Sequence, residues 1–213
     1  MSDARSIARP QLTVVTPVYN EEAGLERYRQ QVEATLLNSE EAECSVLFVD
    51  DGSQDRSWEI ITRICAEDAR FQGLRLSRNF GSHTAISAGF NAAQGDLIAT
   101  LACDLQDPPE TILGFLQAWR EGASVVWGRR RSRQDENWRI WTSRLFQEVV
   151  RRHAMPRETK FTTGSFLLVD QQVAQCVRQF HEQHRIVFAL VAWTGFEQAV
   201  VDYDRAPRRS GCS

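Results

Sequence analysis

Apolar and polar positions along this chain follow two rhythms. Short aliphatic or β-branched runs at residues 12–16, 45–49, 73–76, 97–101, 124–127, 163–169 and 199–203 predict strands. Between them, apolar side chains recur at helical spacing. Leu25, Tyr28, Val32 and Leu36 trace one face over residues 23–37, and Trp58, Ile61, Ile64 and Cys65 trace another. Residues 83–93 read as a helix of small side chains, 109–121 as a helix opened by prolines, and 171–180 as a late helix. Residues 134–152 place Trp138, Trp141, Leu145 and Val149 on one helical face, with Arg139, Arg144, Arg151 and Arg152 elsewhere. That helix either packs on the core through its tryptophans, the commoner outcome, or lies against a membrane interface. The alternation of strand and helix up to Arg129 predicts an α/β fold. Its central sheet is mostly parallel, with helices on both faces. Residues 1–10 read as a flexible leader and 11–213 as a single domain without internal repeats.

Open α/β sheets bind ligands beyond the carboxyl ends of their strands. Four predicted strand ends carry polar clusters. They are Pro17-Val18-Tyr19-Asn20-Glu21, Asp50-Asp51-Gly52-Ser53, Arg78-Asn79-Phe80-Gly81, and Asp104-Leu105-Gln106-Asp107. Any one could be turn chemistry, but four at one edge suggest a site. The fourth is the sharpest, because an apolar run ends abruptly in Asp104 and Asp107 before Pro108-Pro109-Glu110. Two carboxylates there can hold a hard divalent cation, which in turn holds phosphate oxygens. Alternatively, Asp107 caps the next helix, with a proline in its first turn. The chain lacks both GxGxxG and GxxxxGK[ST], which counts against a dinucleotide oxidoreductase and a P-loop enzyme.

Composition narrows the partners. At 213 residues the chain is long enough for one sizeable core. A net charge of -3 argues against nucleic acid as a partner. Arginines nevertheless cluster at 129–131, 151–152 and 205–209, which suits a phosphate-bearing ligand or an anionic membrane surface. The 5 cysteines are scattered, with no CxxC pair, so a reducing compartment fits better than a disulfide framework, and zinc is set aside. No apolar run approaches the roughly 20 residues of a membrane span. A soluble chain is expected.

These motifs, in this order and spacing, resemble a family-2 glycosyltransferase of the GT-A fold. More narrowly, they are similar to the branch that moves a sugar from a nucleotide sugar to polyprenyl phosphate, which includes dolichol-phosphate mannose synthases and bactoprenol glucosyltransferases. The resemblance runs from Leu12 to the last residue. It implies that Pro17, Tyr19, Asn20, Glu21, Asp50, Asp51 and Ser53 line the base and ribose of a nucleotide sugar, a UDP-sugar by preference. Arg78, Asn79, Gly81 and Gln106 would border the nucleotide and sugar. Asp104 and Asp107 would be catalytic and would hold Mg2+ or Mn2+, and Arg205 and Arg208 would grip phosphate. Two positions depart from the family's pattern: Ala102 stands where the first carboxylate of its DxD motif belongs, and Ser165 where an Asp is often found. The family segment that ends here with Gly211-Cys212-Ser213 usually continues with Lys, an aromatic and membrane-associated elements. The resemblance therefore implies a longer protein at the cytoplasmic face of a membrane.

Chemistry accommodates the missing base. An alcohol acceptor benefits from a general base as it attacks. A phosphate monoester loses its second proton near pH 6 and can attack unaided. The expected reaction is thus metal-assisted, inverting transfer to a lipid phosphate. The rivals are a nucleotide-sugar-binding module without turnover, a family-2 transferase acting on a polysaccharide or protein, and a magnesium-binding receiver domain. The tryptophan-bearing segments leave room for a homo-oligomer.

Overall fold

Strand β1 (Gln11–Val18) runs through the middle of the sheet, with Leu12, Val14, Val15 and Val18 all buried. A parallel strand covered on both faces reads as a continuous apolar run, which is why this one is legible in the sequence. Parallel strands β2 (Glu43–Asp50) and β4 (Leu97–Thr100) flank it, and β3 (Phe71–Arg75) extends the sheet beyond β2. The register sets Val18 opposite Asp50, and Asp50 opposite Arg75. All four polar loops predicted to share an edge therefore do so.

The computed structural model describes residues 9–131, 165–180 and 186–205. The predicted helix at 134–152, the start of the predicted strand at 163–169, and Arg208 lie outside them. Among the described residues the sheet has the order β3-β2-β1-β4-β6-β5-β7. Strand β6 (Leu167–Asp170) is antiparallel to both β4 and β5 (Val125–Arg130), and β7 (Gln198–Tyr203) pairs parallel with β5. Two antiparallel steps restore the original direction, so β5 and β7 also end at the edge where β1 and β4 end.

Among the described residues six α-helices cover the two faces: α1 (Leu25–Val32), α2 (Ser57–Glu67), α3 (Ser82–Ala92), α4 (Thr111–Arg120), α5 (Gln171–Arg178) and α6 (Val187–Trp193). Successive residues of a strand point to opposite faces. Val14 accordingly joins the core beneath α1, α2 and α4, with Tyr28, Ile61 and Phe115. Val15 joins the core beneath α3, α5 and α6, with Ile86, Val173 and Val191.

Several elements differ from expectation. The helix predicted over 23–37 becomes a π-helical turn at Glu33–Leu37, which brings both Leu36 and Leu37 inward. Helix α6 carries no sequence signal, because an almost wholly apolar segment has no period. Its last residue, Trp193, is 55% exposed, and its ring meets Phe180 edge-on. Asp107 does not cap α4; that position falls to Glu110. Trp119 and Trp127 are buried, and Cys44, Cys65, Cys103 and Cys176 are free thiols.

Candidate active site

The loop after β1 is locked to the loop after β2. Asn20 adopts a left-handed backbone (φ 52°), its N–H donates to Ser53 Oγ at 3.0 Å, and its Oδ1 accepts from the Gln54 N–H at 2.9 Å. The Glu21 N–H donates to Ser57 Oγ at 2.9 Å. Asp50 is fully buried. Its Oδ1 accepts from the Ser53 N–H at 3.2 Å, and Arg75 Nε stands 3.1 Å from Oδ2. That Arg75 N–H is not aimed along a hydrogen bond, and Oδ2 has no such partner. The Arg75 guanidinium also lies over the Trp58 ring, 5.5 Å from its centroid. Arg75 was not among the expected site residues, because strand position alone does not show what a residue meets.

Asp51 ties in the third loop. Its two oxygens accept from the N–H groups of Phe80 (2.8 Å) and Gly81 (2.9 Å). Gly52, at φ 69°, lies against the same loop, and a Cβ there would sit 2.4 Å from the Arg78 carbonyl carbon. No other residue suits that approach. Arg78 is exposed, with its guanidinium 4.3 Å above the Phe80 ring.

The fourth loop turns sharply. Leu105 is left-handed (φ 53°), and the Gln106 N–H donates to Asp104 Oδ1 at 3.1 Å. The turn leaves Asp104 half-buried and carries Gln106 and Asp107 inside. A cleft of about 250 Å³ opens between the loops, lined among others by Pro17, Tyr19, Glu21, Asp51, Asn79, Gly81, Ala102 and Asp104. Of the expected nucleotide-site residues, Asn20, Asp50, Ser53, Arg78 and Gln106 are not part of its lining. Cys103, in its wall, is pushed well above the usual thiol range by burial, with Glu21 and Asp104 adding to the effect, and remains a neutral thiol.

Asp104 and Asp107, expected together as metal ligands, are separated by the turn, and only Asp104 lines the cleft. Asp107 is 3% exposed. Its Oδ1 accepts from the Tyr203 hydroxyl at 2.5 Å, with Arg130 Nε at 3.7 Å and Arg205 Nε at 3.6 Å. Arg130 Nε also donates to the Tyr203 hydroxyl oxygen at 3.3 Å. Burial, and then the bond to Asp107, push the Tyr203 phenol up to about 12. The β5–β7 register sets Arg130 beside Tyr203 and Arg129 beside Asp202. Arg129 pairs with Asp202 at 2.6 Å and Arg131 with Asp204 at 3.8 Å, so alternate arginines of one run serve different purposes. The arginine run at 129–131 was legible as an anion signal, but the choice of Arg130 was not. Tyr203 carried no signal.

Ser165 sits at the same edge. The Thr100 hydroxyl donates to its carbonyl and accepts from the Leu167 N–H at 3.2 Å. Among the described residues no group of three or more His, Cys, Asp or Glu could hold a metal by itself. The cleft instead offers hard oxygens, with Asp104 foremost. Oxygen donors of this kind suit hard cations such as Mg2+ or Mn2+.

The model of glycosyl transferase family 2 matches residues 13–178. An undecaprenyl-phosphate 4-deoxy-4-formamido-L-arabinose transferase of Pseudomonas aeruginosa is 43% identical over 142 residues, which cover 66% of this chain and 42% of the relative. A bactoprenol glucosyl transferase of Shigella phage SfV is 30% identical over 204 residues, 95% of this chain and 66% of the relative. The chain thus spans less than two thirds of the length of these curated relatives. A mannosyltransferase of Pyrobaculum calidifontis, solved with GDP-Man and Mn2+, superposes with a TM-score of 0.64 at 16% identity, covering 94% of this chain and 57% of that one. This likeness shows a shared GT-A fold.

Proposed function

We propose a reaction on one premise: the chain belongs to glycosyl transferase family 2, whose model covers more than half of it. The reaction is inverting transfer of a sugar from a nucleotide diphosphate sugar, UDP-linked, to the phosphate of a polyprenyl phosphate. The observation that carries this reading is the shared edge of the sheet. There a cleft bearing Asp104 stands at the ends of β1 and β4, and Arg130 and Arg205 stand at the ends of β5 and β7. The names of the relatives from Pseudomonas aeruginosa and phage SfV support the acceptor.

In this reaction an acceptor phosphate oxygen attacks the anomeric carbon from the face opposite the nucleotide. The bond from that carbon to the diphosphate oxygen breaks, and its electron pair leaves with the nucleotide diphosphate. The acceptor is largely ionised at neutral pH and has no proton to surrender, which suits a chain with Ser165 where a base would stand. A bound Mg2+ or Mn2+ supplies neutralising charge for the departing diphosphate. Asp104 would hold that cation, and Arg130 and Arg205 would hold phosphate oxygens in fixed geometry. Tyr19, Asn79 and Gly81 line the cleft and would face the nucleotide. Among the described residues no helix is long and apolar enough to cross a membrane. The acceptor's tail would stay in its lipid surface while its phosphate reaches the sheet edge.

The test is turnover by the full-length protein, with UDP-sugars and GDP-mannose offered against polyprenyl phosphate and against the corresponding polyprenol, with Mn2+ or Mg2+. Mass spectrometry should find a polyprenyl phosphosugar with the phosphate acceptor only. Transfer to the neutral alcohol alone would overturn the reading. Donor binding without turnover on any acceptor would identify a nucleotide-sugar-binding module instead.

A further inference from the structure

We propose that Tyr203 is a positioning residue: its hydroxyl occupies the Asp107 carboxylate and so keeps the Arg130 and Arg205 guanidiniums available to a substrate anion. The identity of that anion rests on the transfer reading above.

A buried carboxylate beside two arginines ordinarily draws one of them into a direct charge-assisted hydrogen bond of about 2.7–2.9 Å. Even the exposed Arg129 does this with the half-exposed Asp202, at 2.6 Å. At Asp107 it does not happen. The guanidinium nitrogens stop at 3.6 and 3.7 Å, beyond hydrogen-bond length, and the neutral phenol takes the oxygen at 2.5 Å. Tyr203 also accepts from Arg130 Nε at 3.3 Å, so it stands between the arginine and the carboxylate. Among the described residues neither guanidinium pairs with any other carboxylate. Their charge is balanced in part by Asp107 but is not tied up by it.

The surroundings hold the hydroxyl in this place. The Tyr203 ring stands edge-on to Phe166, with centroids 5.3 Å apart, and Phe166 leans on Phe115 at 4.8 Å. Gly128 supplies the floor. A Cβ there would meet Phe166 and Tyr203 at 2.9 Å each, so any side chain would displace the ring. Burial keeps the phenol protonated, and it therefore donates throughout the physiological pH range.

Tyr203→Phe keeps the ring and removes the donor. Asp107 should then recruit an arginine directly. Two measurements on the full-length protein read this. The first is independent of turnover: modification of Arg130 and Arg205 by phenylglyoxal, followed by peptide mass mapping. It should slow several-fold in Tyr203→Phe and recover when Asp107→Asn is added. The second is steady-state kinetics. The kcat should fall about tenfold while the donor KM and the melting temperature stay near wild type, as expected when charge placement in the transition state is lost. Unchanged arginine reactivity with unchanged kcat would overturn the proposal. So would parallel losses of kcat, donor affinity and thermal stability, which would mark the hydroxyl as merely structural. If wild-type protein transfers nothing to polyprenyl phosphate, the transfer reading fails, and the arginine reactivities still decide the role of Tyr203.

Discussion

Asp51 and Asp104 show how two carboxylates on neighbouring loops come to do different work. Both Asp51 oxygens accept backbone N–H groups of the 78–81 loop, so Asp51 acts as a clasp. In Asp51→Asn one acceptor becomes a donor facing an N–H, a loss of about 1–3 kcal/mol expected in urea unfolding. Asp104 spends Oδ1 on the Gln106 N–H and lines the cleft. Asp104→Ala should weaken metal-dependent binding of nucleotide diphosphate at least about tenfold by calorimetry, with little change in melting temperature. Tyr203 provides a pH signature. Its phenol titrates at 10.0 when unperturbed and at about 12 in the folded chain. The raised value means that its contribution to stability is complete below pH 10 and is lost as pH rises toward 12. Wild type and Tyr203→Phe should therefore run parallel from neutral pH to about pH 9, and wild type alone should lose stability above pH 10, measured by urea unfolding at each pH. The acidic nature of these loops was legible, because each follows an apolar run directly. Their division of labour was not, since Asp51 finds its partners only when β3 and its loop are laid beside β2.

At the scale of elements, α3 shows how closely a helix can be seated on the sheet. A Cβ on Gly89 would lie 2.3 Å from Val15 Cγ1 and 3.1 Å from Val49 Cγ2. Helix propensity alone would make Gly89→Ala stabilising by about 1 kcal/mol. Overpacking in a rigid core costs about 1–3 kcal/mol, so the variant should be net destabilised in urea unfolding. Combined with Val15→Ala, the two losses should fall short of their sum by about 1 kcal/mol, because the second change vacates the space the first needs. Seating α3 this closely matters to the site, since Gly81 and Ser82 at its start line the cleft. The small-residue pattern of α3 was legible for the same reason that the helix fits: Ala85, Ala88 and Gly89 leave room for strand side chains. The antiparallel entry of β6 and the existence of α6 were not. Strand direction is a matter of which partners are available, and Val187–Trp193 has no polar face to betray a helix.

For the whole molecule, the consequence of the cleft is linkage between ligand and fold. A nucleotide diphosphate at about 100 times its dissociation constant should stabilise the folded state by about 2.7 kcal/mol. Thermal shift should show this with Mn2+ or Mg2+ present, and EDTA should remove it. A chain of net charge -3 can still present a cationic edge, because Arg129 and Arg131 are paired outward while Arg130 and Arg205 stand at the end of the sheet. The α/β class, the central strands and the four polar loops at their ends follow from the sequence alone, because each depends on spacing within a single segment. Which carboxylate faces the cleft, which arginine of three stands by Asp107, and that a tyrosine keeps them apart were decided by tertiary structure. Those facts depend on the register of β5 against β7 and on a left-handed turn at Leu105, where residues distant in sequence first meet.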